Sequence, residues 1–115
     1  MSRRDPRITM LQMRDMAREA LELAGQHGES GFYNSRVTHL ALIKLTEMIG
    51  EAATRLPPEL RSQYSAVPWN QIIGMRNRTI HGYDSYDPAT VWKTLSEDVP
   101  ELLRHLDAIL GTDAG

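Results

Sequence analysis

Apolar residues in this chain return every three or four positions, and the runs they form start or stop at prolines and glycines. That period belongs to helices with one buried face. A strand would need alternation at every second position, and no long alternating β-branched run occurs. The chain is therefore expected to fold as an all-α protein.

The runs can be placed one by one. Met10, Met13, Ala17, Leu21 and Ala24 share one face of a first helix, with Asp5 as cap and Pro6 in its first turn. Gly25 and Gly28 suit its end, and Gly28-Glu29-Ser30-Gly31 reads as a loop. Asn34 or Ser35 can cap a second helix. Its main stripe is Val37, Ala41, Leu45, Met48 and Ala52, widened by Leu42 and Ile49, and Pro57-Pro58 stops it.

A short helix is expected from Pro58 to Tyr64. A further helix starts at Pro68-Trp69 and runs into the segment from Arg76 to Tyr83, where Gly82 can end it. Asp84 to Pro88 reads as a loop that closes on a new cap at Asp87. Val91, Leu95, Val99, Leu102, Leu103, Leu106 and Ile109 continue the helical period, with Pro100 inside it. Proline cannot donate to the carbonyl four residues back, so a kink or a break is expected there. Residues 111–115 are expected to fray. Together these make one domain over residues 1–115, a compact bundle of four to five helices.

Composition narrows the function. With 115 residues there is room for one hydrophobic core. The absence of cysteine removes disulfides and thiolate ligands and fits a reducing compartment. No secretion signal or membrane-length apolar run is seen, so a cytoplasmic address is the default. The formal net charge is −2 with histidine neutral, which speaks against nucleic-acid binding by bulk charge. Any such contact must be local or assembled from more than one subunit.

Four histidines, His27, His39, His81 and His105, show no pair at the spacing of a zinc-binding helix. No metal and no cofactor is expected. The dense polar cluster is Arg76, Asn77, Arg78, His81 and Tyr83. Arginine donates to phosphate oxygens in a fixed fork, and histidine takes and gives a proton near neutral pH. The pair suffices for RNA cleavage without metal: a base deprotonates the 2′-hydroxyl, the alkoxide attacks phosphorus, and arginine stabilises the charge that develops. On a regular helix Asn77 and Arg78 each share a face with His81. Arg76 lies five residues from His81, about 140° around the axis. Either the helix ends before His81 or the site combines residues of two subunits. The bland alternative is that arginine and histidine near a helix C-terminus merely complement its dipole.

Several ordered blocks go beyond that cluster. They are Glu47 to Ala53, Leu56-Pro57, Val67-Pro68-Trp69, Ile73 to Asn77, His81-Gly82-Tyr83, Val91-Trp92 and Glu97 to Leu102. In these the chain resembles the HepT-like branch of the HEPN domains, the toxin halves of bacterial and archaeal toxin–antitoxin pairs. The resemblance implies a HEPN-like bundle, an antiparallel helical homodimer and a metal-independent RNA endonuclease. It puts Arg76 and His81 in the role of catalytic pair and Tyr83 in that of the tyrosine modified by AMP addition from a minimal nucleotidyltransferase antitoxin, a type VII-like system. Asn77 and Arg78 take supporting roles. RNA, the antitoxin and a second copy are the implied partners, in a homodimer or a larger assembly with the antitoxin. The alternative is a non-catalytic helical module that docks a nucleotidyltransferase, and a plain structural dimer is a third reading.

The remaining candidates read as structural. Trp69 and Trp92 are expected in the core, Glu47 and Glu51 on an exposed helix face, and Arg14 and Arg18 on a solvent face. His39 and His105 read as structural or solvated and His27 as exposed. Tyr86 is the rival to Tyr83 as modification target.

Overall fold

A computed structural model describes residues 5–81 and 86–111, with only the backbone of residues 80 and 81. Among these residues there is no strand. The elements are α1 (Pro6–Asn34), α2 (Arg36–Arg55), α3 (Pro58–Gln63), α4 (Trp69–His81), α5 (Pro88–Lys93), a π-helical turn over Thr94–Asp98, and α6 (Val99–Leu110). Because α5, the π turn and α6 follow without a gap, the described chain forms five helices, in line with the all-α bundle expected.

Local chemistry explains the boundaries. Asp5 caps α1 by accepting from the Arg7 amide at 2.9 Å, with Pro6 in the first turn. Ser35 is the cap of α2, where its hydroxyl accepts from the Thr38 amide at 3.2 Å. Asp87 accepts from the Ala89 amide at the start of α5. Pro57 and Pro58 end α2 at Leu56 and open α3. The break expected near Pro100 takes the form of the π turn just before it, which places the proline in the first turn of α6, where its missing N–H is harmless.

Two expectations about helices change. Residues 28–31 are not a loop: only Gly28 leaves the helix, at φ 69° and ψ 179°, and the chain resumes helical form to Asn34. A positive φ is open to glycine at no steric cost, so a single residue bends α1. The inner face of α2 also differs from the expected stripe. Thr38, Leu42, Thr46, Ile49, Ala52 and Ala53 are buried, whereas Val37 and Met48 are exposed. Thr46 can be buried because its hydroxyl donates to the Leu42 carbonyl at 2.8 Å.

The core joins α1 (Met13, Ala17, Phe32), α2 (Leu42, Ile49, Ala53), α4 (Ile72, Met75) and the C-terminal helix (Val91, Leu95, Leu102, Leu106), all fully buried. Helix α1 packs along α2 and α6, and α2 packs on α4. Residues 12–16 of α1 line a groove with residues 44–55 of α2, and residues 18–26 line the next one with residues 41–48, so the two helices run antiparallel. Trp69 is buried as expected, its indole N–H donating to the carbonyls of Arg61 and Tyr64. Trp92 is partly buried, with its ring 5.4 Å from that of Phe32.

Arg14 and Arg18 do not form a solvent face. Arg14 is 6% exposed and donates to the Gly111 carbonyl at 2.5 Å. Both arginines pair with Asp107, at 3.5 and 3.1 Å. They tie α1 to the end of α6, so Gly111 is held, while 112–115 of the expected frayed tail lie outside the described residues. No helix among the described residues is long and apolar enough to cross a membrane.

Candidate functional site

The polar cluster sits on α4, where it crosses α2. The crossing is close because Gly50 has no side chain. A Cβ there would stand closer than van der Waals contact to the Cβ of Arg76 and 2.8 Å from the Ile72 carbonyl oxygen. With the two backbones this near, the residue after Gly50 reaches across. One oxygen of Glu51 accepts from Arg76 Nε at 2.8 Å and lies 2.7 Å from Nη2. On the other side Arg76 Nη1 donates to the side-chain oxygen of Asn77 at 2.7 Å. The Arg76 side chain is 25% exposed and that of Glu51 38%. The guanidinium is thus fixed on two sides and open on a third.

Glu51 did not stand out in the sequence. It reads there as half of a carboxylate pair on a solvent face, because nothing in its own helix shows that α4 passes beside it. The usable signal was Gly50, a glycine inside a strongly periodic helix, which often marks close backbone approach. The other half of that pair, Glu47, has Lys44 as its ion partner at 3.3 Å.

The other expected site residues fall out differently. Asn77 is exposed and joins Arg76, as above. Arg78, also exposed, lines a separate groove of about 410 Å³ with Lys93, Thr94 and Asp98 of the C-terminal helix. The two arginines therefore open on different sides of α4. The helix continues through His81, so an end before His81 does not bring it round to Arg76. Their backbone positions stay about 140° apart on a regular helix. The His81 side chain, Gly82, Tyr83, Asp84 and Ser85 lie outside the described residues.

Just past them, Tyr86 is anchored. Its hydroxyl lies 2.6 Å from His39 Nε2, and the two rings stack with centroids 5.9 Å apart. His39 Nδ1 is 3.0 Å from the Phe32 carbonyl, which can only accept. The ring hydrogen of neutral His39 is therefore on Nδ1, and Tyr86 donates to Nε2. Burial raises the Tyr86 pKa above its ordinary value. His105 stands 3.8 Å from Glu101 on α6, and His27 is exposed. Among the described residues no group of three or more His, Asp or Glu is placed to hold a metal.

The fold is an all-α bundle consistent with a HEPN-like one, with a braced arginine five residues ahead of a histidine on one helix. The chain belongs to the HepT-like ribonuclease family: the family profile described as "Ribonuclease HepT-like" matches residues 13–109. It is similar to a Methanocaldococcus jannaschii protein named "Putative RNase MJ1380", 29% identical over 109 residues that span 95% of this chain and 100% of that protein. A Caldanaerobacter subterraneus subsp. tengcongensis protein named "Putative RNase TTE0752" is 38% identical over 79 residues, 69% of this chain and 70% of that one. The "Probable ribonuclease HepT" of Thermococcus cleftensis is 35% identical over 71 residues, 62% of this chain and 64% of its own. No solved structure matches.

Proposed function

We propose that this chain is an RNA endonuclease toxin that needs no metal, with Arg76 and His81 as its catalytic pair. The observation that carries this reading is the braced, half-open Arg76, five residues before His81, in a chain of the HepT-like family. His81 acts as the acid–base group. A proton leaves the ribose 2′-hydroxyl, the oxygen attacks the adjacent phosphorus, and the bond to the 5′-oxygen breaks as that oxygen regains a proton. The products are a cyclic phosphate and a free 5′-hydroxyl. Arg76 offsets the charge building on the phosphoryl oxygens. Asn77 supports Arg76, and Arg78 adds a second positive charge on the neighbouring groove.

Two copies are expected to complete the cleft. The 140° offset along an unbroken helix separates Arg76 from His81 within one chain. An exposed apolar edge on α2 (Val37, Leu40 and Met48) offers surface for a partner subunit. Two copies also answer the net charge of −2, since each contributes its local arginines to one RNA path.

The switch is a cytoplasmic minimal nucleotidyltransferase antitoxin that adds AMP to Tyr83. The adduct brings bulk and negative charge beside the cleft and repels RNA phosphates. Purified protein should cut RNA in EDTA and His81→Ala should not; equal cutting by both removes His81 from the mechanism. Co-expression with a nucleotidyltransferase from the neighbouring gene should add mass at Tyr83. A wild type that never cuts RNA yet binds that partner is instead a docking module.

A further inference from the structure

We propose that Glu51 is the positioning residue for Arg76: it holds the guanidinium so that one chosen edge faces the RNA phosphate. This rests on the ribonuclease reading above. An arginine has five N–H groups; in Arg76 Nε donates to Glu51 and Nη1 to Asn77, and the same Glu51 oxygen holds Nη2 as an ion pair at 2.7 Å. Each terminal nitrogen keeps at least one N–H that no described residue takes up. A phosphate with two free oxygens is matched by such a pair of donors. Without the brace the side chain would sample many rotamers, and the ordering entropy would fall on the transition state.

The brace has little to offer stability. A half-exposed pair contributes little, because water screens it and two long side chains lose freedom. Yet Gly50 brings the two helices close enough for Glu51 to span them, and that close crossing leaves no room for a side chain at position 50. Glu47, one turn away on the same helix, pairs instead with the exposed Lys44. A contact of small energetic worth, set up by a tight local geometry and aimed at one functional side chain, is suited to orientation.

The test compares wild type, Glu51→Ala, Glu51→Gln and Glu47→Gln on an RNA oligonucleotide in EDTA, reading kcat, KM and the thermal midpoint separately. Glu51→Ala should lower kcat by about 10- to 100-fold, the scale of a misplaced catalytic group. Its KM should stay level or fall, since a negative charge near the RNA has gone. Glu51→Gln keeps an acceptor oxygen and should recover part of the loss. Glu47→Gln should match wild type, and all four should melt within a few degrees of one another. A Glu51→Ala enzyme with wild-type or higher kcat overturns the proposal. So does a kcat loss that follows loss of folded protein, or a rise in KM at constant kcat. A wild type that leaves RNA intact overturns the ribonuclease reading itself, whereas cutting by wild type and Glu51→Ala alike overturns only the role of Glu51.

Discussion

Replacing Gly50 with alanine is the sharpest probe of how α2 meets α4. In an open helix this change stabilises by about 1 kcal/mol, because alanine loses less backbone entropy on folding. Here the added methyl meets the Arg76 Cβ and the Ile72 carbonyl oxygen at 2.8 Å. The second neighbour is backbone of a packed helix and cannot swing aside. Overpacking of this kind costs typically about 1–3 kcal/mol, and a clash with backbone belongs at the upper end. Setting about 3 against a gain of about 1 leaves a net loss of about 2 kcal/mol. For a domain of this size that is a fall in midpoint of roughly 8 °C. Gly25 and Gly74 provide internal controls, since a Cβ at either meets nothing within 4 Å. Alanine there should stabilise by roughly 0.5–1 kcal/mol. Urea unfolding of the three variants, followed by far-ultraviolet circular dichroism, measures all three differences. A Gly50→Ala protein as stable as the Gly25→Ala protein would refute the close crossing, and with it the account of how Glu51 reaches Arg76.

Two further outcomes follow from contacts described above. Arg14→Ala should destabilise by about 2 kcal/mol in the same assay, less than the roughly 3–5 of a fully buried broken pair, because Asp107 keeps Arg18 and Gly111 is open to water. Tyr86→Phe should cost about 1 kcal/mol by leaving His39 Nε2 without its donor. The raised pKa of Tyr86 means that the folded state holds its proton longer than the unfolded state does. Its contribution to stability is therefore present below the ordinary tyrosine value of 10.0 and is lost as pH rises through the raised one. An alkaline titration followed by tyrosinate absorbance should show a late component that Tyr86→Phe removes.

The sequence carried the helix boundaries well where a side chain or a proline sets them alone. Asp5, Asp87, Pro58 and Pro88 each act on their own neighbours, so position in the chain is enough. It misled where burial depends on what lies across the gap. Val37 and Met48 look like core by hydrophobicity but are exposed. Thr38 and Thr46 look polar but are buried, and Thr46 is satisfied by its own helix. Arg14 looks like surface and is buried because an acid and a carbonyl from residues 107 and 111 come to it. The same blindness applies to the site. Arg76 and Asn77 are neighbours in sequence and could be grouped from it, whereas Glu51 lies 25 residues away and joins them only through the helix crossing.

Ser35 ends α1 and starts α2 at once: its N–H donates to the Gly31 carbonyl, and its hydroxyl accepts from Thr38. With one residue doing both tasks, the corner has no slack, and it acts as an index stop for everything downstream on α2. One inserted residue between Ser35 and Glu51 would advance the helix by about 100° and carry the carboxylate off the α4 side. Length changes in this corner are then felt at a guanidinium on another helix, while the same changes past Leu56 leave that register untouched. The spacing from Ser35 to Glu51 is thus a ruler for the site.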